Sequence, residues 1–246
     1  MARPAMPAAA VAVCAAVLIA LAALGGARAQ QLSPAYYDAS CPHAYDTAGG
    51  PYWRVMLGRR DGMAANFDGA QNLPNPKEPL SNLTRKFADL GLDETDFVAL
   101  QGAHTIGRAR CSSIQDRLYN FSGTEQPDPT LDQAYLAALR QSCPAAAAAA
   151  GDDGTGLNDL DPATPDTFDN SYYANIQRNR GLLRSDQAML SAPEEGAEST
   201  APVVGRFASS QAQFFQSFAT AMIKMGNIAP LTGSMGEVRR NCGVVN

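Results

Sequence analysis

Apolar side chains near the end of the chain recur at intervals of three and four residues, and this spacing constrains the possible folds more than any other feature. The repeat runs through Phe207, Gln211, Phe214, Phe215, Phe218, Met222 and Met225. One face of an α-helix presents residues i, i+3, i+4 and i+7, so the segment predicts one long amphipathic helix. Gly226 and Pro230 follow and indicate its end. The phenylalanines and methionines are then predicted to be core residues, a more frequent role than lining a cofactor.

The same spacing predicts three further helices. One carries Leu83, Phe87 and Leu90 between Leu80 and Gly91, and another runs from Leu131 to Ser142. Between them, Asp93 has the character of an N-cap, because the acids after it would lie in a first helical turn, where the helix dipole favours negative charge. In that helix Phe97, Leu100 and His104 are at i, i+3 and i+7, so the histidine shares an apolar stripe.

Turn residues dominate the region from Gly49 to Pro79, where Trp53–Leu57 is a short candidate for extended structure. Helices separated by long loops, with little strand, predict a mainly α-helical fold. The chain has 246 residues, which suits one or two domains with a substantial core.

Residues 1–29 have the pattern of a secretory signal peptide. Arg3 supplies a basic start, residues 8–24 are apolar, and Ala27-Arg28-Ala29 fits a small-x-small cleavage site. A membrane anchor is the alternative, and no later stretch is long and apolar enough to cross a bilayer. The predicted signal peptide contains arginines but no acidic residue, so its removal makes the net charge of the chain more negative than −5. An acidic chain without a basic run is not expected to bind nucleic acid.

Four cysteines remain beyond residue 29: Cys41, Cys111, Cys143 and Cys242. An even number in an oxidising compartment favours disulfides, and without a C-x-x-C pair a zinc site is not expected. Sequons begin at Asn82 and Asn120 and predict glycosylated surface positions.

Chemistry that requires imidazole has few possible sites, because the chain contains only two histidines, His43 and His104. The position of His104 leaves three interpretations open. It is a functional side chain, a hydrogen-bonded core residue, or a residue near a helix C-terminus that interacts with the helix dipole.

Carboxylates and hydroxyls are concentrated at residues 159–170. Calcium takes about six to eight hard oxygen ligands and tolerates irregular geometry, so this segment is a candidate calcium loop. An EF-hand register fails, because Thr164 stands at position 6 where that loop needs Gly, and Asn170 stands at position 12 where it needs Glu. The other interpretation is a solvated acidic turn before a helix, with Asp169 as its cap.

Several motifs, in this order, resemble the secreted plant (class III) haem peroxidases. The similar stretches are residues 49–62, 72–76, 98–111, 161–173, 184–187 and 225–246, together with 31–42 near the start. The resemblance implies a single haem-peroxidase-like domain over residues 30–246, mainly α-helical, that binds haem b and Ca²⁺.

The resemblance also assigns roles to individual residues. His104 corresponds to the axial ligand of the haem iron, and Asp186 to the carboxylate that accepts its other ring N–H and raises its basicity. The proximal calcium ligands would be Thr105, Asp161, Thr164, Thr167 (through its carbonyl) and Asp169. Pro74 corresponds to a residue near the site for aromatic donors, and Cys111–Cys143 to a disulfide of the family.

The chain departs from the family between about residues 47 and 48. Cys41-Pro42-His43 is followed almost directly by Gly49-Gly50, where the family has a long helical segment with an Arg-x-x-Phe-His motif, further calcium ligands and further cysteines. His43 is too close to Cys41 to correspond to that histidine. The distal helical part is therefore expected to be largely missing, as in a shortened isoform or an incomplete gene model. Cys41 and Cys242 lose their family partners, and whether they pair with each other stays open.

The function that the resemblance implies is that of a monomeric secreted peroxidase of the cell wall or apoplast. Such a protein oxidises phenolic donors with hydrogen peroxide and removes peroxide under oxidative stress. Catalysis is expected to be impaired, since general acid–base assistance is worth about 10²–10⁴ in rate and charge stabilisation a similar factor. Two alternatives remain: a non-catalytic secreted glycoprotein that binds haem or calcium, and an unstable shortened isoform.

Overall fold

The computed structural model describes residues 49–56, 58–145, 156–191 and 194–246. Within these ranges the α-helices are α1 (Phe67–Gln71), α2 (Leu80–Ala88), α3 (Glu94–Gln101), α4 (Gln115–Tyr119), α5 (Gln133–Ser142), α6 (Ser171–Gln177), α7 (Arg184–Ala188), α8 (Ala197–Ser209) and α9 (Gln211–Gly226). Two short strands, β1 (Arg108–Arg110) and β2 (Leu157–Asp159), pair antiparallel. The mainly α-helical class expected from the sequence is confirmed.

Some expectations concern other parts of the chain. The signal peptide at residues 1–29, Cys41, His43 and the departure near residues 47 and 48 lie outside the described residues. Within the described ranges, no helix is both long enough and apolar enough to cross a membrane.

The main core is built where α9 packs against α3 and α8, and α6 packs against α8 in the same core. Phe214 on α9 is fully buried and its ring centroid lies 5.0 Å from that of Tyr173 and 5.6 Å from that of Phe168. Gly102 lies beside these rings, and a Cβ there would collide with the Tyr173 hydroxyl and the Phe214 ring. Only glycine therefore allows the chain after α3 to approach the core this closely.

The long helix predicted over residues 207–225 is wrong in one respect, because the structure divides it into α8 and α9. Ser210 separates them with extended backbone (φ −149°, ψ 98°), and its hydroxyl accepts a hydrogen bond from the amide of Gln213, which caps α9. A serine at this position competes with the helix for backbone hydrogen bonds. Most of the predicted stripe still faces one core, since Phe207 on α8 packs 5.9 Å from Phe214 on α9. The core position predicted for Met225 is wrong, because this side chain lies exposed in the last turn of α9. Helix α8 itself, with Pro202 in its interior, was not expected.

The region around α2 and α3 follows the prediction with two corrections. Leu90 is exposed beyond the end of α2, where Gly91 adopts a positive φ of 78°. The N-cap at Asp93 is confirmed as a capping box with Asp96. Helix α3 ends at Gln101, however, and His104 lies in a 3₁₀ turn, so it does not continue the α-helical stripe of Phe97.

The structure differs from two smaller predictions as well. No strand forms over the described residues of the Trp53–Leu57 segment. Helix α5 begins at Gln133, later than predicted, because the Asp132 carboxylate accepts a hydrogen bond from the amide of Tyr135 and caps it.

A second, smaller core surrounds a disulfide between Cys111 and Cys143, whose Cα atoms are 5.5 Å apart. Apolar side chains from α4 and α5, among them Leu118 and Leu136, pack around it. Cys242 is exposed and forms no disulfide with a described residue. Among the sequon asparagines, Asn120 is exposed, whereas Asn82 on α2 is half-buried.

Replacement of Asp93 by alanine is expected to destabilise the fold by about 1 kcal/mol, the usual worth of an N-cap. The Asp96 amide, followed by the charge of Lys224, lowers the pKa of Asp93. A lowered pKa in the folded state means that the stabilisation is complete above the unfolded pKa of about 3.9 and is lost as the pH falls through the folded pKa.

The measurement is urea unfolding of parent and Asp93→Ala at neutral and strongly acidic pH, with Asp89→Ala, a change at another exposed aspartate, as the control. The difference in the free energy of unfolding between parent and Asp93→Ala should shrink at acidic pH. An equal difference in that free energy at both pH values would contradict the role of the carboxylate.

Candidate functional site

The imidazole of His104 is held by one buried carboxylate. Its Nδ1 donates a hydrogen bond to Oδ1 of Asp186 at 2.8 Å, and Asp186 has no exposed surface. Burial disfavours the imidazolium, but the charge of Asp186 and the hydrogen bond to it outweigh this effect, so the pKa of His104 is raised. With Nδ1 engaged, Nε2 is the ring nitrogen left for another partner, which is the usual arrangement of a metal-binding histidine.

Two more groups fix the orientation of Asp186. The hydroxyl of Tyr172 donates to the same Oδ1 at 2.9 Å, and the amide of Leu183 donates to Oδ2 at 2.8 Å. Burial and the charge of Asp186 raise the pKa of Tyr172 well above its ordinary value, so the phenol keeps its proton and remains a donor. The carboxylate therefore receives a side-chain or backbone donor from three separate parts of the chain, namely the 3₁₀ turn, α6 and the start of α7.

His104 lines a cavity of about 250 Å³ whose walls are mostly apolar. The lining side chains are Pro74, Asn75, Pro76, Leu83, Phe87, Phe97, Gln101, His104, Leu183 and Ser185. The imidazole is 27 % exposed, so it is accessible to a bound group. Apolar walls, a single free imidazole nitrogen and an orienting carboxylate fit an iron porphyrin with one axial histidine.

The loop that carries Pro74 is attached directly to the site. The carbonyl of Pro76 accepts a hydrogen bond from the amide of Ser185 at 3.1 Å, next to Asp186. The structure thus brings Pro74 and His104 to one cavity, with Asp186 buried against the imidazole, although Pro74 is more than a hundred residues from Asp186 along the chain.

The oxygen-rich segment forms a cluster immediately beside His104. Its oxygens come from Thr105, Asp161, Thr164, Thr167 and Asp169, with the Thr167 oxygen supplied by the backbone. The Thr105 hydroxyl lies 3.5 Å from Asp161 Oδ2 and 3.5 Å from the Thr167 carbonyl. The Thr164 hydroxyl lies 3.4 Å from Asp161 Oδ2 and 3.1 Å from Asp169 Oδ1. Most of these oxygen–oxygen distances exceed the ordinary hydrogen-bond length between hydroxyl and acceptor.

The donor set suits calcium better than a transition metal. Among the described residues, no arginine or lysine pairs with Asp161 or Asp169, and no group of three or more His, Cys, Asp or Glu side chains could hold a metal. Two carboxylates, two hydroxyls and one carbonyl are all hard oxygen donors, which calcium prefers. The alternative interpretation also keeps some support, because Asp169 Oδ1 accepts a hydrogen bond from the amide of Ser171 at the start of α6.

Three residues of this region had no assigned role in the sequence-based prediction. Tyr172 and Leu183 contact Asp186, and Arg117 contacts the backbone beside Leu183. The role of Arg117 could have been suspected from the sequence, since this residue lies three residues after Ile114 and next to Leu118 on an apolar face, where a charged side chain is unusual. The role of the Leu183 amide could not, because a backbone donor leaves no mark in the sequence.

The structure defines a mainly helical domain in which a buried carboxylate orients a histidine at the edge of an apolar cavity, and sequence comparison identifies its family. The family described as Peroxidase matches residues 5–210, and the chain belongs to that family.

Individual plant peroxidases are similar over most of the chain. Peroxidase 54 of Arabidopsis thaliana is 52 % identical over 200 residues, which cover 81 % of this chain and 54 % of that protein. Peroxidase 15 of Ipomoea batatas is 55 % identical over 196 residues, covering 79 % and 58 %. The lignin-forming anionic peroxidase of Nicotiana tabacum is 45 % identical over 200 residues, covering 81 % and 60 %. The chain therefore spans between half and two thirds of the length of these curated relatives.

Replacement of Asp169 by alanine is expected to abolish the dependence of thermal stability on calcium. A ligand that binds only the folded state stabilises it by about 2.7 kcal/mol at ~100 times its Kd. The parent should therefore unfold at a higher temperature with calcium than with a chelator, and Asp169→Ala should not.

The control is Asp166→Ala in the same loop, whose carboxylate is largely exposed and pairs with Arg108 at 3.4 Å. This variant should keep the calcium response. A parent protein whose unfolding temperature is the same with calcium and with chelator would show that the oxygen cluster is not a calcium site.

Proposed function

We propose that this chain binds haem through His104 and acts as a slow, secreted peroxidase on small phenolic donors. The observation that carries the proposal is the hydrogen bond between His104 Nδ1 and the buried Asp186, on a ring that faces an apolar cavity. Bound haem would supply an iron that reacts with hydrogen peroxide and withdraws electrons from a phenol.

The residues of the chain contribute binding and orientation. Asp186 holds the proton on Nδ1 and leaves Nε2 free, so that Nε2 would hold the haem iron and the negative charge of Asp186 would make the imidazole a stronger donor. Phe87, Phe97 and Leu83 form apolar walls beside the histidine, against which the flat face of a haem would pack. Pro74 lines the same cavity, and its proposed role is to contact a flat aromatic donor there.

Slow turnover follows from the remaining lining of the cavity. Among the described residues at the cavity, His104 is the only titratable side chain, and its proposed role as iron ligand leaves it unable to act as an acid or base. A peroxidase needs one group to take the proton from the bound peroxide and a cation to stabilise the departing oxygen. Without a positioned acid–base group, the reaction with peroxide would be slower by a factor of about 10²–10⁴.

Calcium and secretion complete the proposal. Thr105 is the residue after His104, so an ion bound by the oxygen cluster would brace the backbone that carries the iron ligand. The apolar run at the start of the sequence and the disulfide favour passage through an oxidising compartment. The destination in the cell wall or apoplast and the monomeric state are proposed from the family resemblance alone.

The second candidate is a secreted glycoprotein that binds haem or calcium without turnover. The same cavity lining favours it, because binding needs only His104, Asp186 and the apolar walls. A third possibility, an unstable shortened isoform, differs from both in that it would show no cooperative unfolding transition.

The test is a titration of the purified chain with haem, followed by peroxide-dependent oxidation of a phenol with free haem as the baseline. His104→Ala should lose the spectrum of a histidine-ligated iron and the rate above baseline, because Nε2 is the proposed ligand. Added imidazole should restore both in part, if the cavity keeps its shape.

Each outcome separates the candidates. A rate above that of free haem that is lost in His104→Ala supports the peroxidase. A histidine-ligated spectrum with a rate at the baseline supports binding without turnover. A spectrum in His104→Ala that equals that of the parent would contradict the proposed ligand.

A further inference from the structure

We propose that Arg117 is a positioning residue that sets the strength of the hydrogen bond between His104 and Asp186. It acts through the single peptide group that joins Leu182 to Leu183. The consequence for the iron rests on the proposed function, but the linkage itself is a property of the protein without haem.

Arg117 lies on α4 and is almost completely buried, with 1 % of its side chain exposed. Its Nε donates to Oδ2 of Asp128 at 2.7 Å. Its Nη1 points at three consecutive backbone carbonyls, those of Gly181 (2.6 Å), Leu182 (2.7 Å) and Leu183 (3.0 Å). These carbonyls immediately precede α7, the helix that carries Asp186.

The carbonyl of Leu182 and the amide N–H of Leu183 belong to the same peptide group. Arg117 donates to its oxygen at 2.7 Å, and its N–H donates to Oδ2 of Asp186 at 2.8 Å. A cation at the oxygen polarises the peptide and makes its N–H a stronger donor, so hydrogen bonds in such a chain reinforce one another. The positive charge on Arg117 is thereby transmitted to Asp186 without direct contact.

Stability alone does not account for this arrangement. Removing two charges from water is costly, and buried ion pairs are often no more stabilising than apolar residues of similar volume. Nη2 of Arg117 also has no hydrogen-bond partner within the described ranges, which adds to the cost. The Arg117 guanidinium instead fixes and polarises the backbone next to Asp186, the carboxylate that orients His104.

The direction of the effect follows from the charges. Arg117 stabilises the negative charge of Asp186, so it weakens the pull of that carboxylate on the Nδ1 proton of His104. Lysine at position 117 is shorter, so its ammonium would stay near Asp128 and no longer reach the Leu182 carbonyl. Asp186 would then draw more strongly on the proton, and the imidazole would become a stronger donor to iron.

Asp128→Asn should act in the opposite direction. Asp128 neutralises Arg117 through the 2.7 Å ion pair. Without that counter-charge the guanidinium polarises the Leu182–Leu183 peptide more strongly, and the pull on the His104 proton weakens. Disruption of packing would shift both variants in the same direction, so opposite shifts distinguish the two explanations.

The first experiment uses the full chain without haem and measures hydrogen exchange at the Leu183 amide by NMR. Arg117→Lys should accelerate it about fivefold, the factor expected from the loss of one net hydrogen bond. The control is Arg140→Lys, a change at another arginine that donates to a backbone carbonyl, that of Leu118, in the same smaller core. Acceleration confined to Arg117→Lys supports the linkage. Equal acceleration at the Leu183 and Phe214 amides would be global destabilisation and would overturn it.

The second experiment uses the haem-loaded chain and measures the reduction potential and the iron–histidine stretching frequency. Arg117→Lys should lower the potential and raise the frequency, and Asp128→Asn should do the reverse. Haem affinity should change by roughly three- to tenfold, less than the ~10–100-fold effect of losing a residue that contacts the ligand directly. Shifts of the same sign in both variants would overturn the proposal. If the parent does not bind haem, the proposed function fails and the exchange experiment alone decides the linkage.

Discussion

The negative charge of Asp186, buried without any exposed surface, is the constraint on which the arrangement of the site depends. A carboxylate in such a place is tolerated only when charged or polar groups surround it. Here the partners come from the 3₁₀ turn (His104), from α6 (Tyr172) and from the start of α7 (Leu183). Satisfying one charge therefore fixes three separate pieces of backbone relative to each other, and the histidine takes its orientation from this requirement.

Two electrostatic clusters meet at the short turn that follows α3. His104 contacts Asp186 on one side, and its neighbour Thr105 contacts Asp161 and the Thr167 carbonyl on the other. Because the adjacent residues His104 and Thr105 belong to different clusters, a change of charge in the oxygen cluster would act on the backbone that carries His104. Gly102 makes this possible, since only a residue without a Cβ lets the turn lie against Tyr173 and Phe214.

The sequence allowed the helical class and the N-cap at Asp93 to be predicted, because each depends on local spacing. The candidate site residues came from the family resemblance, and their roles stay predictions, although the structure does place His104 against Asp186. The break at Ser210 escaped prediction, since a serine can either continue a helix or cap one, and tertiary packing decides between these states. The buried position of Leu90 was wrong for the related reason that periodicity does not specify where packing ends. The strand candidate at Trp53–Leu57 was wrong because β-forming residues make a strand only where a partner strand is available. The role of Leu183 was invisible, because its contribution is a backbone N–H.

The disulfide between Cys111 and Cys143 closes a covalent loop that contains both Arg117 and Asp128. Within such a loop the two charged side chains stay at a high effective concentration even when the rest of the chain is unfolded. Local opening of α8 and α9 would leave this unit intact, so it forms a natural unit of subglobal unfolding. The covalent loop thus keeps Arg117 and Asp128 near each other independently of the packing of the aromatic core around Phe214.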